Sequence, residues 1–324
     1  MNRDGAAPAS IDDVMTRLAE RRYIGDRPLA TSIYLSLQLG KPLFIEGEAG
    51  VGKTEAAKVM ADVLGARLIR LQCYEGIDLA HAVYEWNYPR QLLHIRLLHE
   101  TSDRSAAEKQ IYSPEFLLRR PLLDAIDNHD PVPPVLLIDE IDRSDEEFEA
   151  FLLEVLSDFQ ISIPELGTIT AQKPPFVVIT SNRTREVHDA LKRRCLYHWI
   201  DYPSLDKEIA IVRARAPEAA EGLAREVAQL VQNLREMELY KVPGVAETLD
   251  WARSLAALGA TSLDPQLVDA TLGAALKYQE DLIKAREALP ELVARSRGGG
   301  GSTPLAPAGQ SPSPGAPPRS GGGG

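Results

Sequence analysis

Gly47-Glu48-Ala49-Gly50-Val51-Gly52-Lys53-Thr54 has the G-x-x-x-x-G-K-[ST] spacing, and its chemistry is phosphate binding. The glycines let the backbone bend until successive N–H groups point inward at an anion. Lys53 reaches the β- and γ-phosphates of a nucleotide such as ATP, and the Thr54 hydroxyl binds Mg²⁺. Glu55 follows directly and closes the motif as GEAGVGKTE. A second stretch, Val135-Leu136-Leu137-Ile138-Asp139-Glu140, runs four apolar residues into two carboxylates, the Walker B pattern. There Asp139 holds the Mg²⁺ shell, and Glu140 orients or deprotonates an attacking water. A third, Phe176-Val177-Val178-Ile179, ends in Thr180-Ser181-Asn182. The Asn182 amide either positions the same water or caps the next helix. Arg193 and Arg194 end that helix, where cations also complement the helix dipole.

These groups need a scaffold that brings strand ends together. Leu43-Phe44-Ile45, bounded by Pro42 and Gly47, suits a buried strand, and TEAAKVMADVL after the loop is rich in helix formers. Phosphate would therefore sit at a helix N-terminus, where the dipole favours negative charge. Residues 67–73, 135–138, 176–179 and 196–200 supply four more strands. The expected fold class is α/β, a doubly wound parallel five-stranded sheet with its acids at the C-terminal edge.

Before the loop, Ser10 caps a helix over IDDVMTRLAERR, and PLATSIYLSLQLG forms a second helix closed by Gly40. Between them, Tyr23 and Ile24 either line an adenine pocket or serve ordinary core packing. The segment YEWNYPRQLLHIR, with Asn-Tyr-Pro as a turn, predicts an inserted hairpin near 84–96. His81, His94 and His99 have no regular ligand spacing. Ser113-Pro114-Glu115 starts a helix that Pro121 kinks or breaks. Asp145, Glu146 and Glu147 read as a solvated helix N-terminus, and QISIPELGTITAQ as a hairpin near 160–172.

Beyond Ser204 the apolar spacing changes to three and four residues through LDKEIAIVRARA, GLAREVAQLVQNLREM, VAETLDWARSLAAL and PQLVDATLGAALKYQEDLIKA. The division expected is a nucleotide-binding domain over 1–203, a small all-helical lid domain over 204–296 with Trp251, Leu255 and Leu258 in its core, and a disordered Gly/Pro/Ser-rich tail over 297–324. The 324 residues are 44% hydrophobic and 26% charged, as in ordinary globular chains. A net charge of −11, with no basic or aromatic-stacking stretch, speaks against gripping nucleic acid. Cys73 and Cys195 stand far apart, so neither a disulfide framework nor a zinc site is indicated. No apolar run reaches the roughly 18–20 residues of a membrane span, and MNRDGAAPAS has no apolar signal core, so the cytoplasm is expected.

The order of P-loop, inserted hairpin, IDE, second hairpin, TSN, paired arginines and helical lid resembles the AAA+ ATPases, and within them the MoxR family. The residues that carry this are GEAGVGKTE, LLIDEIDR, FLLEVLSDFQISIPELGTI and TSNRTREVHDALKRRC. Their wording is similar to the CoxD-like branch, associated with maturation of the molybdenum–copper centre of carbon monoxide dehydrogenase. The resemblance implies ATP hydrolysis, a homo-oligomeric ring of six subunits and a lid that closes on the nucleotide. It gives Asn182 the sensor-1 role and makes Arg193 or Arg194 an arginine finger reaching a neighbour's γ-phosphate. It also implies a chaperone acting on a metalloenzyme client with a von Willebrand factor A-domain partner, and hairpins that face the pore or the client. Many relatives carry a sensor-2 arginine where this chain has Val242-Pro243-Gly244-Val245, with Gly244 in the slot. A DNA-linked motor and a nucleotide-controlled binding switch are the competing functions.

Overall fold

The computed structural model describes residues 7–98 and 111–297. Its strands are β1 (Leu43–Gly47), β2 (Leu68–Gln72), β3 (Tyr84–Trp86), β4 (Leu117–Arg119), β5 (Val135–Asp139), β6 (Gln160–Ile163), β7 (Gly167–Thr170), β8 (Phe176–Ser181) and β9 (Leu196–Ile200). Five of them form one parallel sheet in the order β2-β5-β8-β1-β9. The chain leaves β1 toward one edge of the sheet and later reaches β9 on the other side of β1. That reversal opens a crevice beyond the strands' C-terminal ends.

The helices before residue 204 are α1 (Ile11–Glu20), α2 (Arg27–Leu39), α3 (Lys53–Leu64), α4 (Leu79–Ala82), α5 (Tyr88–Leu98), α6 (Pro121–Ile126), α7 (Glu146–Asp158) and α8 (Asp189–Arg194). Strand side chains alternate between faces, so each central strand feeds two cores. Leu136 and Ile138 of β5 pack with α6 and α7, whereas Val135 and Leu137 pack with α1, α2 and α3. All four are fully buried. Each such side chain contributes about 1.5–3 kcal/mol of transfer free energy. The sheet is therefore a rigid base for whatever stands at its edge.

The C-terminal helical region comprises α9 (Leu205–Arg215), α10 (Glu221–Arg235), α11 (Val245–Ala257), α12 (Pro265–Ala275), α13 (Gln279–Glu287) and α14 (Leu289–Arg297), around a core of its own. Trp251 is fully buried there and its indole N–H donates to Thr271 Oγ1 at 2.9 Å. Among the described residues no helix is long and apolar enough to cross a membrane.

Several local expectations need correction. No hairpin forms at 84–96: β3 pairs antiparallel with β4, some thirty residues on, and Asn87 opens helix α5 by accepting the Arg90 N–H. Asn-Tyr-Pro is thus a helix start, with the proline inside the first turn where its missing N–H costs nothing. The helix expected from Ser113 is only a single 3₁₀ turn over Pro114–Phe116, after which the chain extends into β4. Pro121 then begins α6 rather than kinking a longer helix. The periodic segment 265–285 is divided at Leu276–Tyr278, where Leu276 is extended and 1% exposed. The break buries Leu276 and sets Tyr278 against Tyr240, ring centroids 4.7 Å apart and planes tilted by 57°. Leu258, expected in the core, follows the last turn of α11 and is 63% exposed. The hairpin at Gln160–Thr170 is present as β6 and β7. The tail from 298 on, and His99, lie outside the described residues.

Candidate nucleotide site

The site begins where β1 ends. Gly50 and Gly52 have φ of 78° and 96°, left-handed values that favour glycine, and Gly52 stands immediately before the first turn of α3. The loop thus turns its amides toward the helix N-terminus. Lys53 is 5% exposed, and its Nζ donates to the carbonyls of Gly47 at 2.8 Å and Glu48 at 2.5 Å. Burial pulls its pKa down, against the raising effect of Asp142, Glu48, Asp139 and Glu140. Ala49 through Glu55 line a cavity of about 390 Å³ together with Asp139, Glu140 and Asn182. Gly47 and Glu48 stand outside that lining. Gly47 is pressed against the backbone of Ile200, and Glu48 is exposed while its carbonyl holds Lys53.

Asp139 is the hub. Its Oδ1 accepts from Thr54 Oγ1 at 2.9 Å and from Thr180 Oγ1 at 2.5 Å. Its Oδ2 accepts from Arg70, Nε at 3.0 Å and Nη2 at 2.5 Å. The hydroxyl and carboxylate oxygens of Thr54 and Asp139 are hard donors of the kind Mg²⁺ prefers, so the pair fits that ion. The Glu140 N–H donates to Thr180 Oγ1 at 3.0 Å, so one hydroxyl binds both acidic positions to β8. Glu140 itself has φ 57° and ψ 51°. Its Oε2 accepts from Gln72 at 3.0 Å and Arg143 at 3.1 Å.

Asn182 lines the same cavity, and its loop is fixed by Asp142. That carboxylate is 3% exposed and accepts from the N–H groups of Asn182 and Thr184 and from the Thr184 hydroxyl, at 2.6–3.1 Å. Burial opposes ionisation of Asp142. The bonds from Thr184 and Asn182 outweigh it and hold the pKa below the usual carboxylate value. Asp142→Ala would remove these bonds to a charged acceptor, worth about 1.5–3 kcal/mol, while the half-buried Asn182 and the exposed Thr184 can turn their freed donors to water. We expect it to lower unfolding free energy by about 1–3 kcal/mol with an unchanged urea m-value. A midpoint within error of the parent would show that the loop does not depend on Asp142.

Tyr23 and Ile24 line the same cavity, as do Ile200 and Ile211. Arg193 and Arg194 are not part of this lining. Arg193 meets Asp189 at 3.8 Å with both side chains 82% exposed, and Arg194 donates to Ser157 Oγ. Gly244 is the residue before α11, and its neighbours' N–H groups dock on the P-loop: Val245 N donates to Gly50 O at 3.0 Å and Ala246 N at 3.3 Å. A Cβ on Gly244 would come within 2.9 Å of Ala49 O and Gly50 Cα. No side chain fits in that slot.

Arg70, Gln72, Asp142, Thr180 and Arg215 were not singled out by the sequence. Arg70 and Gln72 alternate along β2 so as to share a face, a signal that becomes readable once β2 is known to pair with β5.

Residues 42–195 match the family model of the AAA domain (dynein-related subfamily). No curated protein matches the chain. Among solved structures, a proline-to-glycine variant of RuvB from Thermotoga maritima is similar at 17% identity over 90% of this chain and 79% of that one, with a TM-score of 0.46. A candidate ATPase from Cytophaga hutchinsonii is similar at 14% identity over 86% and 85%, also with a TM-score of 0.46. The fold, with its five-stranded parallel sheet and C-terminal helical region, is the α/β AAA+ fold, with residues 42–195 matching the AAA domain of the dynein-related subfamily.

Proposed function

We propose that the chain is an ATP-hydrolysing AAA+ chaperone of MoxR type, which works as a ring and remodels or matures a metalloenzyme. The observation that carries the ATPase reading is the direct bond from Thr54 to Asp139, with Lys53, Glu140 and Asn182 at the same cavity. Lys53 and the loop amides bind the phosphates, and Thr54 and Asp139 hold Mg²⁺, which supplies charge neutralisation on the transferring phosphoryl. Glu140 takes the proton of the attacking water and Asn182 orients that water. Tyr23 and Ile24 receive the base. In a ring, Arg193 extends to the neighbouring subunit's site. The client and the A-domain partner rest on the MoxR resemblance of GEAGVGKTE, LLIDEIDR and TSNRTREVHDALKRRC. A molybdenum hydroxylase client follows from the similarity to the CoxD-like branch.

The test is equilibrium ATP binding and steady-state hydrolysis by the full chain, with and without DNA. Lys53→Ala is expected to weaken ATP binding about 10- to 100-fold, the worth of a charge-assisted bond. Single- or double-stranded DNA is expected to leave turnover unchanged. Many-fold stimulation by DNA would move the chain to the DNA-linked motors. Tight ATP binding without turnover, under confirmed assembly, would make it a nucleotide-controlled switch.

A further inference from the structure

The closed slot at Gly244 leaves the helical region without a side chain at that point of the P-loop, yet two of its cations face the cavity. Lys207, Ile211 and Arg215 line it from α9, at four-residue spacing that puts them on one helix face. The two cations have different partners. Lys207 Nζ meets Asp26 Oδ2 at 2.9 Å, and Asp26 caps α2 by accepting the Leu29 N–H. Arg215 Nη2 meets Glu55 Oε1 at 2.7 Å, and Glu55 lies in the first turn of α3, one residue after Thr54. Only the second pair stands beside the phosphate cradle.

Glu55 presents an electrostatic problem. Its carboxylate stands in the helix turn whose N-terminus receives the phosphates, and both anions would occupy one cavity. The Arg215 guanidinium is the group that can serve either. Its planar fork matches carboxylate and phosphate alike. Arg215 and Glu55 side chains are 32% and 30% exposed, so the pair is sheltered without being locked in the core. Glu55 also has a second cation, Lys58 Nζ at 3.7 Å, so it keeps a partner when Arg215 turns away. The end of α9 that carries Arg215 is held in place, because Arg253 Nη2 of α11 donates to the Arg215 carbonyl at 2.8 Å.

We propose that Arg215 is the phosphate-contacting residue of the helical region, and that Glu55 and the nucleotide's phosphates compete for its guanidinium. The proposal rests on the nucleotide-site reading above and supplies the coupling between helical region and phosphates that Gly244 cannot. The expected consequence is a sign difference. A latch that merely closed the cleft would suffer equally from losing either partner. Competition instead makes loss of Arg215 weaken nucleotide binding and loss of Glu55 strengthen it.

The experiment measures equilibrium binding of ATP, ADP and adenosine to the full chain and to Arg215→Ala, Glu55→Gln and the double variant, each checked for folding by urea denaturation. Arg215→Ala is expected to weaken ATP and ADP binding about 10-fold, as for one charge-assisted bond, and to leave adenosine unchanged. Glu55→Gln is expected to tighten ATP binding, with the gain shrinking when Arg215 is also replaced. Weaker ATP binding in both single variants would make the pair a structural latch and overturn the proposal. So would an unchanged Arg215→Ala, or an adenosine affinity that falls as far as that for ATP. Failure of the underlying reading looks different: the parent chain would bind no ATP, or Lys53→Ala would bind it undiminished.

Discussion

Replacing Arg193 with Ala is expected to leave ATP affinity within about two-fold of the parent while turnover falls by about 10³ or more, the worth of a guanidinium supplied to a transferring phosphoryl group. Arg193 and Arg194 were equivalent candidates in the sequence, and their surroundings now favour one. Arg194 is engaged by Ser157 Oγ, whereas Arg193 extends from the end of α8 with an 82% exposed side chain. Neither lines its own chain's cavity, and the proposed ring has the arginine act on a neighbouring subunit's nucleotide. Mixing Arg193→Ala with Lys53→Ala should therefore restore part of the activity, because some interfaces then pair an intact P-loop with an intact arginine. Light scattering on each variant and on the mixture provides the control for assembly. Full turnover in Arg193→Ala would remove it from the mechanism, and Arg194→Ala would be examined next. Lost turnover without rescue in a co-assembled mixture would leave the action in trans unsupported.

Glu140→Gln is the second large effect expected, with ATP binding retained and hydrolysis reduced about 10²- to 10⁴-fold, the usual contribution of a general base. The substitution is nearly isosteric, and the glutamine oxygen can still accept from Gln72 or Arg143, which both bond Glu140 Oε2. The anchoring of the residue through its N–H to Thr180 is untouched. A change in rate then reports the lost basicity rather than a displaced strand. Binding should be followed with ATP under single-turnover conditions, so that chemistry and release are separated. Undiminished single-turnover hydrolysis would assign the water's proton to another group.

The parts of this molecule legible from sequence are those whose signal is local and periodic. Residues 43–45, 135–138 and 176–179 are continuous apolar runs because both faces of the sheet are covered, and the last two lead directly into the polar residues presented at the cavity, Asp139 and Thr180. Tyr84–Trp86 misled because its partner, Leu117–Arg119, lies far along the chain, and local reading supplied a false partner nearby. A longer separation hides Arg70 and Gln72, which lie roughly seventy residues from the acids they serve. Gly244 shows the converse. Its position was readable as a missing arginine, but only packing against Ala49 and Gly50 shows that the slot excludes every side chain.

Glu140 has a left-handed backbone, an arrangement that glycine adopts freely and a glutamate does not. A residue held this way destabilises its fold by about 1–3 kcal/mol, a sizeable share of the 5–15 kcal/mol that keeps a typical domain folded. Selection for folding alone would drift this position toward glycine or asparagine. A glutamate here carries that cost together with a side chain that lines the nucleotide cavity and accepts from Gln72 and Arg143. In a population of descendants, that position would be among the first to change once the activity ceased to matter.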